Sequence, residues 1–140
     1  MKIESHINQL KGYIAYNAGK TKDFNMPTVY QIETTNVCNL ACIMCPRPKM
    51  TRPVSGMDTE LFEKIILQTK DYTNFVWLHH MGEPLLDPHI KERIALCKKN
   101  NIRTGISTNG TALTEKIAMM ILNSGLDHIL MSFDGVTKET

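Results

Sequence analysis

Three of the four cysteines in this 140-residue chain fall within one short stretch, as Cys38, Cys42 and Cys45. Their Cys-x3-Cys-x2-Cys spacing lets three thiolates on one loop converge on a single metal centre. The odd number is informative, because a structural zinc site takes four ligands and an iron–sulfur cube is usually held by four thiolates. The motif therefore predicts either a fourth ligand from elsewhere in the chain or a cluster with one iron open to an exchangeable ligand.

The composition indicates one domain with a hydrophobic core. Hydrophobic residues make up 42% of the chain, and the net charge of +2 is too small to indicate a nucleic-acid or membrane partner. No apolar run approaches the ~20 residues of a membrane span, and the first residues lack the apolar core of a signal peptide. We therefore expect a cytoplasmic protein, in which clustered cysteines are metal ligands rather than disulfides.

A helical segment precedes the main domain. Apolar residues at helical spacing predict a helix over residues 3–17, which serves for packing or as a lid, and a polar connector leads from it to Pro27. We therefore divide the chain into an N-terminal helix and connector, residues 1–27, and a core domain, residues 28–140. The apolar stripe of the helix consists of Ile3, Ile7, Leu10 and Ile14.

In the core domain, strand and helix signals alternate. Strands are predicted over 28–34, 75–78, 102–108 and 128–133. The helices between them are predicted to start at the N-caps Asp58, Asp87 (with Pro88 as first helical residue) and Thr114. Thr137 resembles the cap of one more helix. A leading helix followed by (βα)3β predicts an α/β fold with parallel strands and right-handed crossovers.

Unusual polar residues follow each predicted strand. The first strand leads into the cysteine loop, the second into Gly82-Glu83-Pro84, the third into Ser107-Thr108-Asn109-Gly110 and the fourth into Ser132, Asp134 and Gly135. Ligands of parallel α/β folds bind at the carboxyl ends of the strands, so these residues are candidates for one site. The alternative is that the Asn-Gly and Asp-Gly pairs are ordinary turns.

Taken together, these motifs resemble the radical S-adenosylmethionine (radical SAM) superfamily. The resemblance rests on the cysteine motif after a first strand, on Gly82-Glu83-Pro84 after a second and on Ser107-Thr108-Asn109-Gly110 after a third. The sequence around them, such as Cys45-Pro46-Arg47, is most similar to the branch that often carries C-terminal SPASM or twitch domains. The resemblance extends over nearly the whole of residues 29–134.

The resemblance implies an enzyme in which the three cysteines hold a [4Fe–4S] cluster and SAM chelates its fourth iron. It implies reductive cleavage of SAM to a 5′-deoxyadenosyl radical, which abstracts hydrogen from an unknown substrate. Glu83 would pair with the methionine ammonium of SAM, and Met44 stands where the family usually has an aromatic residue near the adenine. By similarity, the SAM-binding residues are Met44, Gly82, Glu83, Pro84, Ser107, Asn109, Ser132 and Asp134.

The same resemblance implies a partial TIM barrel of six parallel strands, of which this chain carries four. We therefore expect the N-terminal portion of a longer enzyme, or a chain that needs a partner to close its sheet and to be active. The fourth strand is expected to form an open apolar edge. The implied partners are a flavodoxin- or ferredoxin-like reductant and a peptide or small-molecule substrate.

Other interpretations of the same residues stay open at this point. A structural zinc module would use the three cysteines with His79 or His80 as fourth ligand, and a ferredoxin-like carrier would need a fourth nearby cysteine. The two histidines also lie where they could contact substrate, although a packing role is the simpler interpretation. We interpret Cys97 as a core residue and the basic residues Arg47, Lys49 and Arg52 as part of a solvated loop.

Overall fold

The computed structural model describes residues 3–20, 22, 25–133, 135 and 137. Four parallel strands form one sheet in the order β1-β2-β3-β4, which is also their order along the chain. The predicted α/β architecture is therefore confirmed. The elements are α1 (Ile3–Asn17), β1 (Val29–Gln31), α2 (Thr59–Thr69), β2 (Phe75–Trp77), α3 (Ile90–Lys99), β3 (Arg103–Thr108), α4 (Glu115–Ser124) and β4 (His128–Met131).

The hydrophobic core lies between the sheet and the helices that connect its strands. Side chains alternate between the two faces of a strand, so Val76 and Leu78 point to the same side. Both are fully buried, together with Ile106 of β3. They pack against apolar residues of the helices, which include Phe62, Ile66, Ile90, Ile94, Cys97 and Ile121. The other face of the sheet is thereby left to line the site.

Two of the predicted helix starts are confirmed by their capping bonds. The Asp58 carboxylate accepts a hydrogen bond of 3.0 Å from the Leu61 N–H at the start of α2. The Thr114 hydroxyl accepts one of 3.3 Å from the Ile117 N–H at the start of α4. Helix α4 ends at Gly125, whose φ of 84° is readily adopted only by glycine.

The predicted start of α3 is wrong by two residues. The helix begins at Ile90 with His89 as N-cap, not at Pro88 with Asp87 as N-cap. One Asp87 oxygen does accept the His89 N–H at 2.9 Å, but the other pairs with Arg93 at 2.9 Å. Both side chains of this ion pair are buried, and Arg93 also donates to the Met57 carbonyl. Asp87 therefore belongs to a buried network that joins α3 to the start of α2.

Helix α1 has the predicted bounds but an unexpected orientation. Its buried residues are Ser5, Asn8 and Ala15, whereas the apolar stripe predicted to serve for packing is exposed. No described helix is long and apolar enough to cross a membrane.

The outer strand β4 is exposed along its whole length, as predicted for an open apolar edge. Regular strand structure ends at Met131, two residues before the predicted end. Asp134 lies outside the described residues, and so does most of the helix predicted from Thr137.

Candidate functional site

The cysteine loop leaves the carboxyl end of β1 and is closed at its base. Thr35 forms an isolated antiparallel bridge with Gly56, on the far side of the loop. The Asn36 side chain donates to the Pro53 carbonyl at 2.8 Å and accepts from the Ser55 N–H at 2.6 Å. These contacts fix where the loop begins and ends. Consistent with its prolines, the loop contains only one 3-10 turn, Arg47–Lys49.

The three loop cysteines are half-buried and free of disulfides. A turn joins the Cys45 N–H to the Cys42 carbonyl at 3.0 Å. Between them, Ile43 is fully exposed and Met44 is largely exposed, so the apex of the loop projects from the fold. Among the described residues, no three His, Cys, Asp or Glu side chains are gathered closely enough to hold a metal ion.

The donor set nevertheless fits an iron–sulfur cluster. Three free thiols lie on one loop, and the exposed apex has room to bring them together when a cluster binds. Metal binding and the ordering of its site are commonly coupled, so the ligands need not be gathered before the metal binds. The zinc alternative requires a fourth ligand, and the Nδ1 atom of one candidate, His79, already accepts a hydrogen bond from the Ser107 N–H.

The segment Gly82-Glu83-Pro84 packs directly against the start of the cysteine loop. A Cβ atom on Gly82 would overlap the Thr35 carbonyl and would lie 2.9 Å from the Asn36 Cα. The Glu83 N–H donates to the Val37 carbonyl at 2.8 Å, one residue before the first cysteine. Glycine is therefore needed at position 82 because two backbone segments meet there.

The carboxylate of Glu83 connects the segment after β2 to the end of β3 through hydrogen bonds. Its side chain is 2% exposed. One oxygen accepts from the Thr108 hydroxyl at 2.6 Å and from the Leu85 N–H at 3.0 Å, and the other accepts from the Asn109 N–H at 2.8 Å. The side chain thus has a structural task that its motif did not reveal. Its pairing with an ammonium group stays a prediction.

The end of β3 reaches the first cysteine. The Asn109 side-chain amide donates to the Asn39 side-chain oxygen, Oδ1, at 3.1 Å and lies 3.8 Å from the Cys38 sulfur. In return, the Asn39 amide donates to the Thr111 hydroxyl at 2.7 Å. Asn39 was missed in the sequence, although it directly follows a candidate metal ligand. Together these contacts bind the cysteine loop to the β3 end.

An aromatic column lines the open face of the sheet. The Phe75 and Trp77 ring centroids are 4.9 Å apart, and those of Trp77 and His79 are 5.3 Å apart. Trp77 lies over Gly105 of β3, where a Cβ atom would be 2.5 Å from the indole ring. The column therefore runs up β2 towards the carboxyl ends of the strands.

His79 ends this column and is held as a neutral ring. Its Nδ1 atom accepts from the Ser107 N–H at 3.0 Å, which requires that Nδ1 carry no proton. Burial lowers the pKa of His79, the neighbouring His80 lowers it further, and the Glu83 charge opposes both. Next to it, the Ser107 and Ser132 hydroxyls share a hydrogen bond of 3.2 Å.

Glu33 is a site residue that the sequence analysis missed. It follows β1, forms an ion pair with Arg52 at 2.5 Å and accepts from the Met81 N–H at 3.1 Å. Burial raises the pKa of the Glu33 carboxyl, but the bonds from Arg52 and Met81 and the charges of Arg52 and His80 bring it below its ordinary value. Arg52 was predicted to belong to a solvated loop, but this ion pair holds it against Glu33. The available signal was a lone charge within the predicted first strand, residues 28–34.

The structure brings most of the predicted site residues to the carboxyl ends of the strands. Cys38, Asn109 and Glu83 form one connected group, and Ser107 pairs with Ser132 beside it. Pro84 is buried at the start of a 3-10 turn. Met44 lies on the exposed apex of the loop.

Comparison with known proteins points to one family. The radical SAM superfamily profile matches residues 32–140. The chain is 31% identical over 105 residues to the tungsten-containing aldehyde ferredoxin oxidoreductase cofactor-modifying protein of Pyrococcus furiosus, covering 74% of this chain and 30% of that protein. It is 28% identical over 107 residues to the PqqA peptide cyclase of Gluconobacter oxydans, covering 76% of this chain and 30% of that protein.

A solved structure has the same fold. The crystal structure of BtrN in complex with AdoMet and 2-DOIA superposes with a TM-score of 0.70 at 25% identity, covering 81% of this chain and 48% of that one. The chain thus spans about a third of these curated relatives and about half of this structural neighbour. These matches confirm the predicted partial barrel and the family resemblance.

Proposed function

Because the chain belongs to the radical SAM superfamily of enzymes, we propose that Cys38, Cys42 and Cys45 hold a [4Fe–4S] cluster and that S-adenosylmethionine binds beside it. A cluster held there would supply, when reduced, the electron for cleavage of SAM to methionine and a 5′-deoxyadenosyl radical, which would take a hydrogen atom from the substrate. The observation that carries the proposal is the position of three free thiols on a loop tied to the ends of β2 and β3.

We assign Gly82, Glu83 and Pro84 to the methionine end of SAM. The carboxylate of Glu83 already accepts three hydrogen bonds, so its part is to hold the segment and to place a negative charge near the ammonium group. A charge acts over several ångströms where water is excluded. The backbone carbonyls of the segment are then the acceptors that the ammonium protons reach directly.

Hydroxyl and amide groups at the ends of β3 and β4 suit the ribose and the methionyl carboxylate. Ser107 and Ser132 offer a pair of hydroxyls that can exchange their mutual bond for bonds to a ribose. Asn109 offers an amide donor beside the Cys38 sulfur, where an N–H···S contact would also tune the cluster potential. Asp134 completes the set by similarity, and Met44 supplies a polarizable apolar contact for the adenine.

The aromatic column of Phe75 and Trp77 forms the floor of the proposed reaction chamber. A carbon radical must be kept from solvent and from unintended hydrogen donors. Two large rings packed edge to face, with Gly105 leaving space for the indole, provide a rigid apolar surface for this purpose. His79 lies at the carboxyl-terminal end of the aromatic column, where its neutral ring presents Nε2–H as a donor.

The proposed substrate is a peptide or a small molecule, and a flavodoxin- or ferredoxin-like protein is the proposed reductant. A peptide is supported by the relative named PqqA peptide cyclase. The chain spans 30% of that relative, so the substrate class is proposed from the likeness alone.

Anaerobic reconstitution tests the cluster assignment. We expect about four iron and four sulfide per chain for the wild type. Cys42→Ala should abolish cluster binding, whereas the control Cys97→Ala should leave the iron content unchanged. Cys97 is a suitable control because it is fully buried in the core and burial raises the pKa of its thiol to about 12. One equivalent of zinc without sulfide would overturn the assignment in favour of the Cys3His alternative.

Electron paramagnetic resonance tests the SAM site separately. After reduction with dithionite, the spectrum of the cluster should change when SAM is added, because SAM would chelate the open iron. A spectrum that is unchanged at saturating SAM contradicts the site even if the cluster forms. A complete barrel should also release 5′-deoxyadenosine under these conditions.

A further inference from the structure

Helix α1 is attached to the rest of the domain through its polar and small residues. The Ser5 hydroxyl donates to the Asn74 side-chain oxygen at 2.7 Å. The Asn8 side chain donates to the Met26 carbonyl at 2.7 Å and accepts from the Met26 N–H at 2.8 Å. On the same side, a Cβ atom on Gly12 would lie 2.8 Å from the Asn25 side chain. This polar face is therefore the one that the fold covers.

The opposite face of α1 is an exposed apolar stripe. We call its residues, Ile3, Ile7, Leu10 and Ile14, the α1 seam. All four side chains are about half exposed or more, and Ile3 is 72% exposed. Their spacing of four, three and four residues is that of the a and d positions of a coiled coil. An apolar stripe that faces away from its own domain is typical of a helix that packs against another chain or segment.

The α1 seam is complementary to itself when two copies run antiparallel. When Ile7 lies opposite Leu10 of a second copy, Ile3 lies opposite Ile14 of that copy. Two-fold symmetry repeats both contacts with the residues exchanged between the copies. The flanking e positions are Glu4 and Lys11. In an antiparallel pair the e positions face one another, so Glu4 of each copy lies beside Lys11 of the other.

The charges of Glu4 and Lys11 are free to pair with a second copy. Within the part of the chain that the structure describes, neither Glu4 nor Lys11 forms an ion pair. Both line an open groove of about 390 Å³ between α1 and the domain. Met26 and Tyr72 form the far wall of this groove and are themselves partly exposed. The groove gives space for the edge of a second helix.

We propose that α1 pairs antiparallel with α1 of a second copy of this chain, forming a two-fold dimer through the α1 seam. The bodies of the two copies do not obstruct the pairing, because each is attached to the opposite face of its helix. A two-fold contact of this kind closes on itself and does not propagate into fibres. Two helices of about two heptads bury less than a standard interface, so the dimer should be weak and concentration-dependent. The inference does not depend on the proposed function.

Sedimentation equilibrium over a concentration series tests the dimer. We expect a reversible monomer–dimer equilibrium in the wild type and at least a tenfold higher dissociation constant in Leu10→Gln. This change lies on an exposed side chain, so circular dichroism should show an unaltered fold. Leu130→Gln, on the exposed strand β4, is the control and should leave the equilibrium unchanged. Association that is lost in L130Q and kept in L10Q would mean that the sheet edge pairs instead, which overturns the proposal.

A charge exchange tests the antiparallel orientation. Glu4→Lys and Lys11→Glu should each weaken the dimer, because each creates like-charged neighbours across the pair. The double variant should restore the wild-type dissociation constant. Single variants without effect, or a double variant no better than the single ones, contradict the pairing. Hydrogen exchange provides the remaining test. A strict monomer whose α1 amides are strongly protected would show that its own chain covers the seam, which overturns the proposal.

Discussion

The hydroxyl of Thr108 donates a 2.6 Å hydrogen bond to the buried carboxylate of Glu83, joining the end of β3 to the segment that follows β2. The same carboxylate accepts the backbone N–H of Asn109, whose side-chain amide lies beside the Cys38 sulfur. The position of the first cysteine is thus linked to a carboxylate through the β3 end. This linkage gives Glu83 a role before any ligand is bound.

Thr108→Val should destabilise the fold, because it leaves a buried carboxylate with one donor fewer at nearly unchanged side-chain volume. Loss of one partner from such a group costs about 1–3 kcal/mol. Urea denaturation followed by circular dichroism measures the effect. The matched control is Thr51→Val, the same change at an exposed position. Equal stability of the two variants would show that the Thr108 bond is not stabilising.

Gly82→Ala should also destabilise the fold, and should displace the start of the cysteine loop. The added methyl group overlaps the Thr35 carbonyl, which is backbone and has little freedom to move. Overpacking of this kind typically costs about 1–3 kcal/mol.

Gly56→Ala serves as the control for Gly82→Ala. The nearest atom to a Cβ at position 56 is the Thr34 carbonyl oxygen at 3.7 Å, an ordinary contact. We expect this variant to be neutral or slightly stabilised. Faster amide exchange around Val37 in G82A alone would link the effect to the loop, and identical exchange in both variants would argue against it.

The His79 ring should make the stability of the protein depend on pH. Its pKa is lowered in the folded state, so the unfolded chain binds the proton more readily. The contribution of the neutral His79 ring to the stability is therefore complete above the pKa of the unfolded chain, about 6.5. It is lost as the pH falls through the lower pKa of the folded state. Protonation of Nδ1 would also remove the acceptor of the Ser107 N–H.

His79→Asn tests this dependence, because an asparagine oxygen can replace Nδ1 as acceptor without titrating. Unfolding free energies measured between about pH 5 and 7.5 should fall less steeply in this variant than in the wild type. His89→Asn changes an exposed histidine and should keep the wild-type slope. Nitrogen chemical shifts of the ring should show an unprotonated Nδ1 at neutral pH, and a protonated Nδ1 there would contradict the assigned tautomer.

Most of the fold could be predicted from the sequence because its signals are local. Asp58 and Thr114 cap helices within three residues of themselves, and Gly125 ends a helix through its own φ angle. Asp87 carries the same local signal, yet its carboxylate is shared with Arg93 in the core. For α1, the periodicity gave the helix and its apolar face. It could not show which face the domain would cover.

The candidate site could be predicted only in part for a related reason. The strand-end motifs were visible because each follows its strand directly. Glu33 was not recognised, because its partners Arg52 and Met81 are distant in the sequence and a single charge in a predicted strand is also typical of a solvated residue. The structural task of Glu83 was hidden in the same way, since its motif indicated a ligand contact and not a bond to Thr108.

The two carboxylates at the strand ends have a consequence for how the protein is made. Glu33 accepts the backbone N–H of Met81 across 48 residues, and Glu83 accepts that of Asn109 across 26. In each case the partner directly follows the next strand along the chain, and domains commonly begin to fold during synthesis. Each bond can form once the residues up to its partner have left the ribosome. Both of these strand-end contacts can therefore form before the fourth strand has emerged.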